Sequence, residues 1–509
     1  MASHYAYKES FTKIKYAGNL SREIKENLGV KQGRNLSSDH YKLYIAPLLK
    51  SLDEAELGVQ IGPINISVSG VADDVYLMTD QPNKLQSQLD IAAYYGYVYR
   101  IEYGAAKTKI TVKGSEIDQQ YFNDVAPWKM NDEFINVVDE NEHLGQVVSP
   151  KQQEEKNVDL RIAKSRNCLF SLLGIGFAFK CFLSPVLKLH IYKTYVSPIL
   201  LSGLSTFALR SSQIEPLAIF QRKILKSILK LSLSAPTPAI HFLTGELPIE
   251  GKLHKETLTL FHNVWINSNT KIFQIIKYLL QHSPNNSRTW AIYVRRLCQR
   301  YELEDPLIYL NQEPPSKSSW KNLITTKITT FYEKYLRSLS LSNSRMQYLN
   351  TNLLGLTGRQ HPAIQNMNTS WEVRMSRPHL KFLSGNYLTY SIKSEQSGGS
   401  ARCRICSSGN DDTVFHIVIE CPALNDIRNS IIPEFKQLCT MTRNNISFDK
   451  ITENLENTCQ FLLDPASMNL PSRVNISDPI LPEMYRLSRD FCYKLDKSRN
   501  EHLQQLKNL

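Results

Sequence analysis

Two clusters of side chains in this 509-residue chain have the types and spacing for chemistry. Asp73 and Asp74 are adjacent carboxylates in GVADDVYLMTD, residues 70–80. Two carboxylates this close repel one another and raise a pKa unless a cation lies between them. Such a pair therefore suits divalent metal, although a solvated turn also accommodates it. The second cluster is Cys403-x2-Cys406-x9-His416-x4-Cys421. Three thiolates and an imidazole form a tetrahedral zinc set, and four protein ligands leave no open position for catalysis. The plainer alternative is a pair of free thiols beside a core histidine on the apolar run FHIVIE.

These residues need elements to hold them. Ile64, Ile66 and Val68 alternate with Asn65, Ser67 and Ser69, the period of a half-buried strand, and the apolar run resumes at Val75, so the Asp pair is expected at a hairpin tip. Upstream, a turn at Gln32-Gly33 leads into an amphipathic helix with Tyr41, Tyr44, Ile45, Leu48, Leu49 and Leu52 inward. Residues 1–150 mix strands, turns and helices, and helical periodicity dominates afterwards. SEQSGGSA, residues 394–401, has the composition of a flexible linker leading to the Cys/His segment.

Charge is unevenly placed. Of the net +12, the segment 161–235 contributes +10, with eleven Lys or Arg against Glu215 alone. Within it, Phe220, Ile224, Leu225, Ile228 and Leu231 recur at helical spacing while Arg222, Lys223, Lys226 and Lys230 take the other faces. Concentrated positive charge suits a phosphate backbone, and a solvated helix face also accounts for such a run. The longest apolar stretch, residues 168–179, is too short for a bilayer span, and MASHYAYKES is not a secretory signal. The nine scattered cysteines do not form a disulfide framework. An intracellular, reducing setting with no membrane partner is expected, and Cys168, Cys181, Cys298, Cys439, Cys459 and Cys492 are expected in the core.

The order of motifs resembles the palm of a reverse transcriptase, specifically that of non-LTR, LINE-like retrotransposons. Gly29-Val30-Lys31-Gln32-Gly33 with Leu36-Ser37 is similar to motif B, Ala72-Asp73-Asp74 to motif C, Lys107 to the motif D lysine and Leu144-Gly145 to the motif E primer grip. Residues 188–210 and 220–229 resemble the thumb, and the Cys/His cluster stands where this family carries one. The resemblance implies an α+β architecture: a truncated palm (1–150), a basic helical thumb (151–250), a helical connector (251–395), a zinc knuckle (396–430) and a helical tail (431–509). It implies RNA-directed DNA synthesis from an RNA template, a DNA primer and deoxynucleoside triphosphates. Asp73 and Asp74 would hold Mg2+ or Mn2+, Lys107 would serve the triphosphate, and Gln32, Gly33 and Ala72 would lie along template and nucleotide. Arg222, Lys223, Lys226 and Lys230, with Arg402, Arg404 and Arg428 at the knuckle, would contact nucleic acid.

The chain departs from the family pattern in places. Val71 replaces an aromatic residue and Ser38 a proline. No Asp occurs in residues 1–30, where only Glu9, Glu23 and Glu26 are available, so the third metal carboxylate of motif A is missing and an upstream polyprotein portion is expected. The competing expectation is a non-catalytic nucleic-acid-binding remnant.

Overall fold

The computed structural model describes residues 11–25, 36–104, 106–125, 127–174, 183–352, 355–467 and 474–508. The architecture is mixed α and β, predominantly helical, with small sheets of two or three strands. The chain divides into two compact units: one runs to Lys151 and includes Asn269–Tyr278, and the other comprises Gln152–Ser268 and Leu279–Leu509. The segments read as thumb, connector, knuckle and tail lie, Lys151 and Asn269–Tyr278 apart, within the second unit.

In the first unit, the helices Ser37–Glu54 and Pro82–Tyr99 supply Ile45, Leu48, Leu52, Leu85, Leu89 and Ala92 to a core completed by Trp128, Met130 and Ile135. Tyr41 and Leu49 of the first helix are partly buried against that core, whereas Tyr44 turns outward and donates its hydroxyl to the Tyr99 carbonyl. The expected single strand through Ile64, Ile66 and Val68 is instead two. Ile64–Ile66 pairs antiparallel with Val59–Ile61, and Val68–Val71 pairs with Asp74–Leu77. The break falls at Ser67, which is fully buried. Its hydroxyl donates to Asn65 Oδ1 at 2.7 Å, and its carbonyl accepts from the Met78 N–H at 2.8 Å and Gln88 Nε2 at 3.3 Å. Buried backbone groups must be paired, and these bonds satisfy Ser67 while the chain changes partners. The Asn269–Tyr278 segment is tied to the first hairpin by Lys271, which bonds Asp53 at 2.5 Å and the Asn65 carbonyl at 2.9 Å. The Tyr278 ring fills the place a side chain at Gly62 would take, 2.2 Å from an ideal Cβ.

The second unit is helical. Ser211–Leu229 buries Ile214, Leu217, Ile224, Leu225, Ile228 and Leu229 and stops where Lys230 adopts a left-handed conformation, φ 58°. Lys317–Leu341 and the 28-residue Leu481–Asn508 are its longest helices, burying Trp320, Ile324 and Ile328 in one and Met484, Tyr485, Phe491 and Leu495 in the other. The expected linker is partly helical, since Tyr390–Ser397 forms a helix before Gly398 and Gly399 break it with positive φ. Among the described residues no helix is long and apolar enough to cross a membrane.

Candidate metal centre and carboxylate hairpin

The four ligand atoms of Cys403, Cys406, His416 and Cys421 lie within 4.8 Å of one another. Zinc with ~2.3 Å sulfur bonds spans a tetrahedron with edges of roughly 3.8 Å, so the group is close to ligating geometry without rearrangement. Cys403, His416 and Cys421 are buried and Cys406 is half-buried. The loop that presents the first two is fixed by backbone bonds from Cys403 N–H to the Asn410 carbonyl (2.9 Å) and from Asp412 N–H to the Ala401 carbonyl (2.8 Å). Of the other two, His416 opens a single π-helical turn, His416–Glu420, and Cys421 caps its end. Crowded sulfurs perturb one another. The hydrogen bond between Cys421 and Cys403 pulls the Cys403 thiol below the ordinary thiol range, and the same contact holds Cys421 above it. Close thiols that share a proton in this way are a donor set suited to a soft cation. The group can hold zinc.

Its surroundings contain partners that sequence reasoning missed. His416 Nε2 lies 3.4 Å from the Cys406 sulfur, while Nδ1 faces Glu420 Oε2 at 3.2 Å. A carboxylate on the far nitrogen fixes the tautomer and orientation of a ligating imidazole; the i,i+4 spacing of His416 and Glu420 is a signal for it. Arg428, read as a nucleic-acid contact, is buried and bonds the carbonyls of Cys421 and Ile417. Arg404 lies over the Tyr390 ring at 4.4 Å. The ligand loop is also anchored by a buried ion pair, Arg499 to Asp412 at 2.6 Å, with Asp412 accepting from the Tyr390 N–H as well.

Asp73 and Asp74 occupy the tip of the Val68–Val71/Asp74–Leu77 hairpin. Ala72 takes the turn at φ 52°, Val71 pairs with Asp74, and both carboxylates are exposed. Leu144 and Gly145, at φ 49° and 74°, form the tip of a second hairpin, Asn141–His143 with Gln146–Val148. Two consecutive positive φ values match the right-handed twist of two-residue hairpins. The hairpins meet where the Tyr76 and His143 rings pack against one another, tilted by 32° with centroids 5.0 Å apart. Tyr41 stands beside Asp73, and burial first, then the Asp73 charge, raises its phenol pKa. It belongs to a tyrosine cluster in which Tyr95 and Tyr99 stack at 4.2 Å and the Tyr103 hydroxyl, pushed up to about 12 by burial, has no hydrogen-bond partner among the described residues. Tyr95, Tyr99 and Tyr103 carry no motif that marks them in the sequence. Lys107 is exposed in the turn that follows Gly104, and among the described residues no ion pair joins it to either carboxylate. Gln32 and Gly33 lie outside the described residues, as do Glu9 and Glu26; Glu23 pairs with Lys13 at 3.2 Å. Among the described residues, the one group of three or more His, Cys, Asp or Glu ligands is the Cys/His set.

The basic segment is less bare than its composition. Arg222 pairs with Glu215 at 2.6 Å, Lys226 donates to the Leu233 carbonyl at 2.6 Å, and Lys223 is exposed with no ion pair among the described residues. Lys193 bonds buried Glu246 at 2.5 Å and Arg210 approaches Glu155 at 3.6 Å. Burial works to raise the Glu246 pKa, but Lys252 and Lys193 outweigh it and hold the carboxyl below its usual range. Cys298, Cys439, Cys459 and Cys492 are buried and Cys168 is half-buried, all unpaired; Cys181 lies outside the described residues. No family model matches the chain, and no curated protein matches it.

Proposed function

We propose that this chain handles nucleic acid as the reverse transcriptases of non-LTR retrotransposons do: an RNA-directed DNA polymerase of two-metal type, with a structural zinc site. The observation that carries the reading is the pairing of two hairpins, one with Ala72-Asp73-Asp74 at its tip and the other with Leu144-Gly145, through Tyr76 and His143. An exposed Asp pair on a hairpin backed by helices can present its oxygens to ions bound with substrate. Mg2+ or Mn2+ bound there would activate a primer hydroxyl and steady the leaving pyrophosphate. Within the chain, Asp73 and Asp74 hold charge at that tip, Lys107 offers a cation to the triphosphate, and Gln32, Gly33 and Ala72 line template and nucleotide. Leu144 and Gly145 bear on the primer. Exposed Lys223, with Arg222, Lys226 and Lys230, contacts the duplex backbone, and Arg402 and Arg404 extend that contact at the zinc-bound segment.

A second reading, nucleic-acid binding without catalysis, is favoured by one observation: only two carboxylates gather at the hairpin among the described residues. Primer extension on an RNA template with Mg2+ separates the two. The polymerase reading expects extension by the chain, or by the chain lengthened upstream, that is abolished by Asp73→Asn. Template binding that persists while neither protein extends a primer assigns the second.

A further inference from the structure

Cys406 stands apart from the other two sulfurs of the Cys/His group. Cys421 is fully buried and Cys403 is 8% exposed, while Cys406 is half-buried, its sulfur 3.2 Å from the hydroxyl of exposed Ser408. A small solute therefore meets Cys406 first. Backbone freedom differs in the same direction. Cys421 is pinned: its N–H donates to the His416 carbonyl at 2.7 Å, and its carbonyl accepts from buried Arg428. Cys406 sits on the turn that the bond from Cys403 N–H to the Asn410 carbonyl closes. Residues 407–410 of that turn are all exposed, and Gly409, at φ 78°, has nothing within 4 Å of where a Cβ would stand. The turn can shift toward Cys403 without displacing packed side chains.

The sulfurs of Cys403 and Cys406 already lie within 4.8 Å of one another, and two residues separate them in the chain, the spacing of redox-active dithiols. The other described cysteines are placed differently. Cys298, Cys439, Cys459 and Cys492 are buried, and half-buried Cys168 donates its thiol to the Tyr195 carbonyl at 3.8 Å.

We propose that Cys406 and Cys403 form a peroxide-sensitive dithiol, and that its oxidation to a disulfide releases the metal. The Cys406 thiolate attacks one oxygen of hydrogen peroxide and the O–O bond breaks. The departing hydroxide takes up the proton that Cys406 gave and leaves as water, with Cys406 now a sulfenic acid. The Cys403 sulfur then attacks the Cys406 sulfur, the S–O bond breaks, and hydroxide leaves with the Cys403 proton as a second water. Counted from the two thiols, the protein loses two electrons and two protons, and one peroxide gains them. His416 and Cys421 then remain, half of the four ligands a structural zinc site uses. Release of metal rests on the zinc reading above, whereas the bond between Cys403 and Cys406 does not.

The test exposes the full zinc-loaded chain to hydrogen peroxide, follows released metal with a chromogenic chelator, and maps disulfides by mass spectrometry after rapid alkylation. The expected result is a Cys403–Cys406 link that forms in step with zinc release, both reversed by dithiothreitol and added zinc. Cys406→His keeps four zinc ligands but removes the attacking thiol, so its metal should leave at least about tenfold more slowly. Cys168→Ser, which alters a half-buried thiol outside the group, should change neither readout. If Cys406→His does not fold, mapping on the unaltered chain decides by itself. No link, a link to Cys421 instead, or an oxidised chain that keeps its zinc overturns the proposal. A chain purified without zinc overturns the zinc reading, and there the Cys403–Cys406 link under the same peroxide supports the dithiol or, by its absence, refutes it.

Discussion

The Cys/His centre, which can hold zinc, and the carboxylate hairpin, proposed above to meet ions with substrate, are built in opposite ways. The first draws four ligands from one short stretch, buries three of them, and surrounds them with Glu420, Arg428 and the Asp412–Arg499 pair. The second exposes two carboxylates at a turn. A structural site is complete without a substrate and can be sealed, whereas a site for reacting groups must stay open to them. Burial of the ligands therefore separates a metal that supports folding from one that would arrive with substrate.

The largest expected effect breaks that contrast from the structural side. Cys421→Ser should abolish stoichiometric zinc, measured by elemental analysis, and unfold the region around residues 401–428, because structural zinc contributes about 10 to 16 kcal/mol of binding free energy to folding. A variant that keeps one zinc per chain would show that three ligands suffice.

Next in size is acid sensitivity. Burial holds His241, His254 and His379 of the second unit down to about 4. An unfolded histidine titrates near 6.5, so between these values the unfolded chain binds protons that the folded unit does not. Stability is fully present above about pH 6.5 and is lost as pH falls toward 4, by roughly 3 kcal/mol for each histidine. The first unit has no buried histidine among its described residues. Denaturant titrations at pH 7 and pH 5, with near-ultraviolet dichroism as readout, should lose the second unit first; identical midpoints would refute the assignment.

Smaller still is Glu420→Gln. Removing the carboxylate behind a ligating histidine costs typically 10- to 100-fold in metal affinity, readable by chelator competition, and an unchanged affinity would reduce Glu420 to a surface residue. The smallest effect sharpens the contrast from the other side. Asp73→Asn should shift stability by no more than about 0.5 kcal/mol, the usual limit for exposed substitutions. A larger shift on thermal melting would mean that the hairpin tip is structural.

What could be read from the sequence followed the range of the interactions. The Cys/His set and the hairpin tip are local: four ligands at zinc spacing, and two apolar runs interrupted by Ala72-Asp73. The inward face of the Ser37–Glu54 helix was legible from its period except at Tyr44, whose hydroxyl finds the Tyr99 carbonyl 55 positions away. Ser67 broke an alternating strand that its period alone described as continuous, because Met78 and Gln88 draw its carbonyl elsewhere. The charge count over 161–235 missed Glu155 and Glu246, which sit outside that window and approach Arg210 and Lys193.

The buried pair of Asp412 and Arg499 also places the chain on a clock. Its partners are 87 positions apart, so at a synthesis rate of about 5 to 20 residues per second the acid emerges roughly 4 to 17 seconds before its base. Of the four zinc ligands, Cys403 and Cys406 precede and His416 and Cys421 closely follow Asp412, an aspartate that must remain hydrated throughout that interval. The metal can be captured early, but the loop that holds it can be sealed only after the Leu481–Asn508 helix arrives. Nascent chains stalled near residue 470 should therefore bind zinc yet remain open to protease between residues 401 and 415, and chains released at full length should not.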